Sequence, residues 1–184
     1  MKPVTLPLLQ QAANAFQFGG PLVCTLDHYG EGHINDTYMV WREDRSKRFI
    51  LQRINTDTFT DPVGLMENVC GVTRHLRAKI LAEGGDPMRE TLNVVSTLTG
   101  GSCYMDTEGG AWRAYDFVEG TVCLQQVGSE EEFCTVAETL GKFQNQLSDY
   151  PAATLHETIA RFHDTANRYA NFEKALAADS MGRA

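Results

Sequence analysis

The sequence lacks the main features of membrane, secreted and nucleic-acid-binding proteins. No stretch reaches the roughly 18 consecutive apolar residues that a membrane-spanning helix requires. The first residues have neither the apolar core nor the small-residue cleavage site of a signal peptide. A formal net charge of −8 does not provide the basic field that attracts nucleic acids and anionic lipids. We therefore expect a cytoplasmic protein with no nucleic-acid or membrane partner.

Cysteine is also scarce, and its spacing excludes a metal or redox motif. The cysteines are odd in number and widely separated, and no two of them form a C-x-x-C pair. This pattern argues against a zinc site and against a dithiol redox centre. We predict buried free thiols at all of these positions, which are Cys24, Cys70, Cys103, Cys123 and Cys134.

The composition and patterning that are present are those of an ordinary globular protein. Apolar residues make up 42% of the 184 residues and charged residues 22%, so disorder is not expected. Apolar residues at helical spacing predict helices at 6–16, 62–83, 130–147 and, in one or two pieces, 155–178. Runs of β-branched and aromatic residues predict strands at 23–29, 37–42, 48–54, 93–98 and 112–118.

The order of these elements predicts an α+β fold with two parts. All of the predicted strands precede Gly120, and only helices follow it. Segregation of strands and helices along a chain is typical of the α+β class. We therefore expect a sheet-containing lobe at 1–120 and a helical lobe at 121–184.

The most informative segment is the turn between the first two strands, which reads Gly30-Glu31-Gly32-His33-Ile34-Asn35. Glycines let backbone amides approach a ligand closely, so a phosphate-binding turn is one interpretation. A purely steric hairpin turn is the other, because hairpins use glycine for its backbone conformation alone. A Rossmann turn is excluded, since its glycines open a helix and a strand follows here. The strand-turn-strand context suits the kinase type, in which a glycine-rich hairpin covers the nucleotide phosphates.

Six segments, in their order along the chain, resemble those of one kinase family. They read GEGHINDTY, FILQRINTDTF, DPVGLMENV, GGAWRAYDFVEG, LGKFQNQLS and ETIARFHDTANRYANFEKAL. From about Leu6 to Ala184 the chain resembles the N-acetylhexosamine 1-kinases of the aminoglycoside-phosphotransferase-like superfamily. The resemblance implies a protein-kinase-like N-lobe followed by the first helices of an incomplete helical C-lobe. It also implies transfer of the γ-phosphate of ATP, with Mg²⁺, to the anomeric hydroxyl of N-acetylglucosamine or N-acetylgalactosamine.

The resemblance assigns nucleotide-binding roles to two groups of residues. The first group matches the loop that covers the phosphates and consists of Gly30, Gly32, His33, Ile34, Asn35 and Thr37. The second group matches the hinge between the lobes, near 115–120, where backbone groups meet adenine. It consists of Asp116, Phe117 and Val118.

No lysine stands at the third-strand position that touches the α- and β-phosphates in this family. Gln52 occupies the matching position, and Arg53 follows it. Only one of the two can face the nucleotide, because side chains alternate along a strand. Arg53 has the charge and fork geometry that a polyphosphate favours, whereas Gln52 has the matching position. A merely solvated Arg53 is the third possibility.

The helix after the third strand offers one further polar contact. Glu67 lies opposite the apolar stripe of this helix, whereas Asn68 flanks the stripe. We therefore predict that Glu67 is solvated and that Asn68 makes an inward contact at the nucleotide site.

The family's catalytic aspartate and its metal-binding asparagine and aspartate have no match in the chain. His163 and Asp164 resemble such a loop, but a kinase loop needs His-x-Asp with asparagine five residues after the aspartate. We predict that Asp164 caps the start of a helix instead. The resemblance thus implies that the catalytic residues and the Mg²⁺ ligands lie outside this chain, which would end before the catalytic loop and be inactive alone.

Two other functions stay open at this point. One is a non-catalytic nucleotide-binding or interaction module. The other is a related small-molecule kinase whose acceptor is an aminoglycoside, choline or ethanolamine, or homoserine. We also expect self-association through 130–184, or mobility of that segment while the first lobe stays folded, because two or three helices cannot cover all of the apolar side chains on it.

Overall fold

A computed structural model describes residues 3–183, and these form an α+β fold built on one five-stranded antiparallel sheet. The helices are α1 (Leu6–Ala13), α2 (Pro62–Ala82), α3 (Pro87–Glu90), α4 (Glu130–Gln146) and α5 (Thr165–Ala178). The strands are β1 (Leu22–His28), β2 (Asp36–Arg42), β3 (Arg48–Ile54), β4 (Tyr104–Met105) and β5 (Ala111–Asp116). The order of the strands in the sheet is β1-β2-β3-β5-β4. None of the described helices is long and apolar enough to cross a membrane.

Side-chain caps fix where the helices begin. The carboxylate of Asp61 accepts a hydrogen bond from the Gly64 amide at 2.9 Å, and Pro62 is the first residue of α2. At α4 the Ser129 hydroxyl accepts from the Glu132 amide at 3.1 Å. Asp164 accepts from the Asn167 amide at 2.8 Å, so the prediction that Asp164 begins a helix is confirmed.

The two faces of the sheet pack against different helices. Tyr38, Leu51 and Ala114 lie opposite one another on β2, β3 and β5, and they form a buried core with α1. On the other face, Ile54 and Ala111 pack against Met66 of α2. Because side chains alternate along each strand, the odd-numbered residues of β3 face α1 and the even-numbered ones face α2.

Two predicted elements are wrong. Residues 93–98 form no strand and contribute only two isolated bridges, from Val94 to Tyr115 and from Thr97 to Phe16. A tight turn, in which the Thr97 hydroxyl accepts a hydrogen bond from the Gly101 amide at 2.9 Å, ends this segment. Residues 155–164 are not helical either, and the helix there begins only at Thr165.

The five cysteines are free, but the prediction that all are buried is wrong. Cys24, Cys70 and Cys103 are half-buried, whereas Cys123 and Cys134 are exposed. Burial raises the pKa of the Cys24 and Cys103 thiols. The two exposed thiols lie after Gly120, on a part of the chain that buries little: Gln146 is the one buried residue of α4, and α5 has none.

The segment after α4 contacts α2 mainly through polar side chains. His75 of α2 contacts both the Gln146 carbonyl, at 3.0 Å, and the Asp149 carboxylate, at 3.1 Å. Lys79 forms an ion pair with Asp149 at 2.6 Å, which lowers the pKa of that carboxyl. These exposed contacts position the segment but contribute little stability each.

Candidate functional site

The Gly30–Asn35 turn connects β1 to β2 and leaves open space beside both glycines. Gly30 has φ +80, which favours glycine, and no other described group lies within 4 Å of where a Cβ would stand at Gly30 or Gly32. The side chains of His33 and Ile34 are exposed. Asn35 fixes the end of the turn, since its side-chain oxygen accepts from the Asn55 amide at 2.9 Å. The turn can therefore admit a ligand close to its backbone.

A row of polar side chains crosses three strands immediately after this turn. Thr37, Gln52 and Arg113 lie opposite one another on β2, β3 and β5. The Gln52 amide donates to the Thr37 hydroxyl at 2.8 Å, and its carbonyl oxygen accepts from Arg113 Nε at 2.8 Å. We call these three residues the cross-strand row. It lies on the sheet face that carries α2.

Arg113 is the functional candidate that sequence reasoning missed. Its Nε is occupied by Gln52, and its guanidinium lies 5.4 Å from the centre of the Tyr115 ring. Among residues 3–183, no carboxylate lies within 4 Å of its nitrogens. Burial raises the pKa of Tyr115 to about 12, although the charge of Arg113 opposes this. The guanidinium thus sits beside a neutral phenol and keeps its outer N–H donors available. Knowledge that β5 pairs with β3, which places Arg113 opposite Gln52, would have identified Arg113 as a candidate.

Arg53 lies on the opposite face of the sheet from Gln52, and the alternative that it is a solvated strand residue is wrong. It is 6% exposed, stands opposite Trp112 and lies 6.0 Å from the centre of the Trp112 ring. This position results from strand alternation, with both faces of β3 covered. A phosphate contact from Arg53 therefore gains no support, and Gln52 is the residue of the two on the face of the cross-strand row.

Arg53 instead belongs to a buried polar cluster around Asp106. The Asp106 carboxylate accepts from Trp112 Nε1 at 2.7 Å and from the amides of Gly110 and Glu108 at 2.7 and 2.8 Å. Burial alone would raise the pKa of Asp106. The Trp112 and amide hydrogen bonds, together with the charge of Arg53, outweigh burial and lower the pKa. The cluster is structural and faces away from the cross-strand row.

The hinge residues form the end of β5 and the turn after it. Asp116 is paired with Lys47 at 2.6 Å, and the Phe117 amide donates to the Arg48 carbonyl at 3.4 Å. The Val118 carbonyl accepts from the Thr121 hydroxyl at 3.0 Å. The Arg48 guanidinium lies 3.8 Å from the centre of the Phe117 ring. The Phe117 ring and the Arg48 cation thus lie at this end of the sheet face that carries α2.

Charged side chains hold the next residue, Glu119, from two directions. Arg48 donates to both carboxylate oxygens, at 2.8 and 2.5 Å, and these bonds lower the pKa of Glu119. Arg89 of α3 donates to the Glu119 carbonyl at 2.8 Å. The segment after β5 is therefore anchored to both the sheet and α3.

Asn68 is bonded to the segment after α4, so its predicted contact at the nucleotide site gains no support. Its amide donates to the His156 carbonyl at 2.9 Å, and its oxygen accepts from the His156 amide at 2.9 Å. Asn68 thus binds the segment that follows α4 and does not point to the cross-strand row. Glu67 is exposed as predicted, and its carboxylate lies 2.7 Å from His156 Nε2. The pattern of apolar residues along α2 does not predict that the segment containing His156 packs beside Asn68.

Metal-ligating side chains are not grouped in the described part of the chain. Residues 3–183 contain no group of three histidine, cysteine, aspartate or glutamate side chains that could hold a metal ion. Asp164 caps α5 and pairs with Arg161 at 2.6 Å.

No protein-family model matches the sequence.

Proposed function

We propose that this chain is the ATP-binding part of an ATP-dependent sugar kinase that phosphorylates the anomeric hydroxyl of an N-acetylhexosamine. The proposal rests on the resemblance to the N-acetylhexosamine 1-kinases and on a protein-kinase-like arrangement of sheet and helix. The observation that carries it is the cross-strand row. This row puts a cation and an amide on the α2 face of the sheet, next to a glycine turn with open space around it.

The donors of the site fit a polyphosphate. Glycine amides of the turn can approach phosphate oxygens, and the Thr37 hydroxyl lies at the start of β2 directly after the turn. The guanidinium of Arg113 offers parallel N–H donors to phosphate. Gln52 is neutral and holds Arg113 by its Nε, so in this proposal the positive charge comes from β5 rather than from a lysine of β3.

The adenine end of the site would lie beside Asp116, Phe117 and Val118. In this proposal the backbone of these three residues faces the adenine base. The Phe117 ring, with Arg48 stacked on it, lies at the edge of the adenine site. Mg²⁺ would neutralise charge on the phosphates. The aspartate base and the Mg²⁺ ligands would come from polypeptide that these 184 residues do not include.

Titration of the chain with Mg-ATP tests nucleotide binding directly. We expect saturable binding, which Arg113→Gln weakens about tenfold because a charge-assisted hydrogen bond to phosphate is lost. Arg183→Gln removes the same charge from an exposed site near the end of the chain and should leave ATP affinity unchanged. No ATP binding by the wild-type chain would overturn the proposal.

The acceptor is tested separately, in a polypeptide that contains this chain together with the catalytic loop that the proposal requires. Formation of N-acetylhexosamine 1-phosphate is the expected result. ATP binding without transfer to any acceptor would favour the non-catalytic module. Transfer to an aminoglycoside, choline, ethanolamine or homoserine, and not to the sugar, would favour the related kinase.

A further inference from the structure

A cavity of about 780 Å³ lies between α2 and the segment that precedes β4. Its walls come from one side of α2, from 92–96 and from the turn at 100–102. The Gly30–Asn35 turn and the cross-strand row do not contribute to the lining. Of the residues assigned to the candidate ATP site, Asp116 alone also lines this cavity. The cavity therefore meets the candidate ATP site at Asp116 and is otherwise separate from it.

Two arginines of α2 line the cavity, and neither has a carboxylate partner among residues 3–183. Arg74 and Arg77 are three residues apart, so they lie on the same side of the helix. Arg77 donates to the side-chain oxygen of Asn93 and contacts the Met88 sulfur at 3.8 Å, and both of these are neutral. Arg74 is exposed and makes no hydrogen bond within the described chain. Like charges at this spacing disfavour a helix unless an anion lies between them.

The two carboxylates of the cavity already have partners. Asp116 is paired with Lys47 at 2.6 Å, and Glu67 contacts His156 at 2.7 Å. Because Lys47 neutralises Asp116, the two arginines outnumber the one remaining carboxylate of the lining, which is Glu67.

Hydroxyl donors complete the lining. Ser96 and Ser102 both face the cavity, and within residues 3–183 neither hydroxyl bonds another protein group. Two guanidinium groups and two such hydroxyls form a donor set suited to an oxyanion.

We propose that this cavity binds a small oxyanion of the phosphate class, at a site distinct from the one for ATP. The phosphoryl group lies between the guanidinium groups of Arg74 and Arg77 and accepts from the serine hydroxyls. The group can belong to inorganic phosphate or to a phosphomonoester, which the chemistry of the lining does not distinguish.

Calorimetric titration of the 184-residue chain with inorganic phosphate tests this site. Saturable binding is expected, and Arg74→Gln should weaken it about tenfold. Because Arg74 is exposed and makes no hydrogen bond within residues 3–183, this variant should keep the wild-type melting temperature. Arg183→Gln is the matched control and should bind phosphate as the wild-type chain does.

A second series separates this site from the candidate ATP site. Arg113→Gln should leave the phosphate affinity unchanged, and Arg74→Gln should leave the ATP affinity unchanged. Loss of phosphate binding in Arg113→Gln but not in Arg74→Gln would overturn the proposal, as would no saturable phosphate binding at all. Titration with glycerol 3-phosphate decides the source: tighter binding than phosphate indicates a phosphomonoester, and equal or weaker binding indicates the free anion.

Discussion

Arg113 and Gln52 form one unit across β5 and β3, joined by a 2.8 Å hydrogen bond from Nε to the side-chain oxygen. Gln52 in turn donates to Thr37 at 2.8 Å, so its amide orientation is fixed on both sides. The neutral residue at the third-strand position thus positions a cation that comes from another strand. The cation of the cross-strand row therefore comes from β5, although the position that would match the lysine of the N-acetylhexosamine 1-kinases lies on β3.

Because the two residues act together, their substitutions should not be additive. Arg113→Gln should weaken ATP binding about tenfold, and Gln52→Ala should weaken it less, by misplacing the guanidinium. The double variant should bind ATP about as Arg113→Gln does. Titration of the four proteins with Mg-ATP measures the coupling. Fully additive losses would show that Gln52 contacts the nucleotide independently.

Arg53→Ala should affect stability and leave ATP binding unchanged. Removal of this buried cation takes a favourable charge away from Asp106 and leaves space beside Trp112. A substitution that removes a buried side chain and its contacts in this way costs about 0.5–3 kcal/mol of unfolding free energy. Urea unfolding gives this value, with Arg45→Ala, in an exposed turn, as the control. A stable variant with weakened ATP binding would instead return Arg53 to the nucleotide site.

Local periodicity was sufficient to predict much of the fold. It predicted β1 to β3, α2 and α4, because each has an uninterrupted pattern and α2 and α4 also have a clear cap. It could not predict the burial of Arg53, since α1 and α2 cover opposite faces of the sheet and both faces of β3 are partly or fully buried. Alternation alone does not say which face meets which helix.

The site required information that no local pattern contains. Arg113 reaches Gln52 only through the pairing of two strands, and the two residues are 61 positions apart in sequence. The neighbour of Asn68 is His156, which is 88 residues away. Such registers depend on how the whole sheet and the later segments assemble.

The stability of the protein should fall in acid partly through Asp106. Its pKa is below that of an unfolded aspartate, near 4, so its contribution is present above that pH and is lost as the pH falls through the folded value. Asp106→Asn cannot titrate and should show a smaller loss of unfolding free energy between about pH 5 and pH 3. Urea unfolding at each pH compares the two proteins. Equal slopes would show that exposed carboxylates account for the whole effect.

The helices α4 and α5 should drive self-association. Phe133, Leu140 and Phe172 are 63%, 55% and 59% exposed, on helices that bury almost nothing. Each such side chain regains about 1.5–3 kcal/mol when it is buried. Sedimentation velocity at increasing concentration should therefore detect oligomers, and Leu140→Lys should reduce them. Thr135→Lys adds the same charge at an exposed position on a different side of α4 from Leu140 and should not. A monomer at all concentrations would contradict this prediction.

The contacts of Arg48 and Arg89 with Glu119 restrict where the backbone after β5 can change direction. Arg48 binds its carboxylate and Arg89 its carbonyl, so rotation at Phe117 or Val118 would break three charge-assisted hydrogen bonds at once. The next residue, Gly120, has φ +67, and no described neighbour lies within 4 Å of where its Cβ would stand, so it turns without such a cost. Within the described chain, the backbone between the sheet and the later helices can therefore change direction at Gly120 more readily than at the residues just before it, which Arg48 and Arg89 hold.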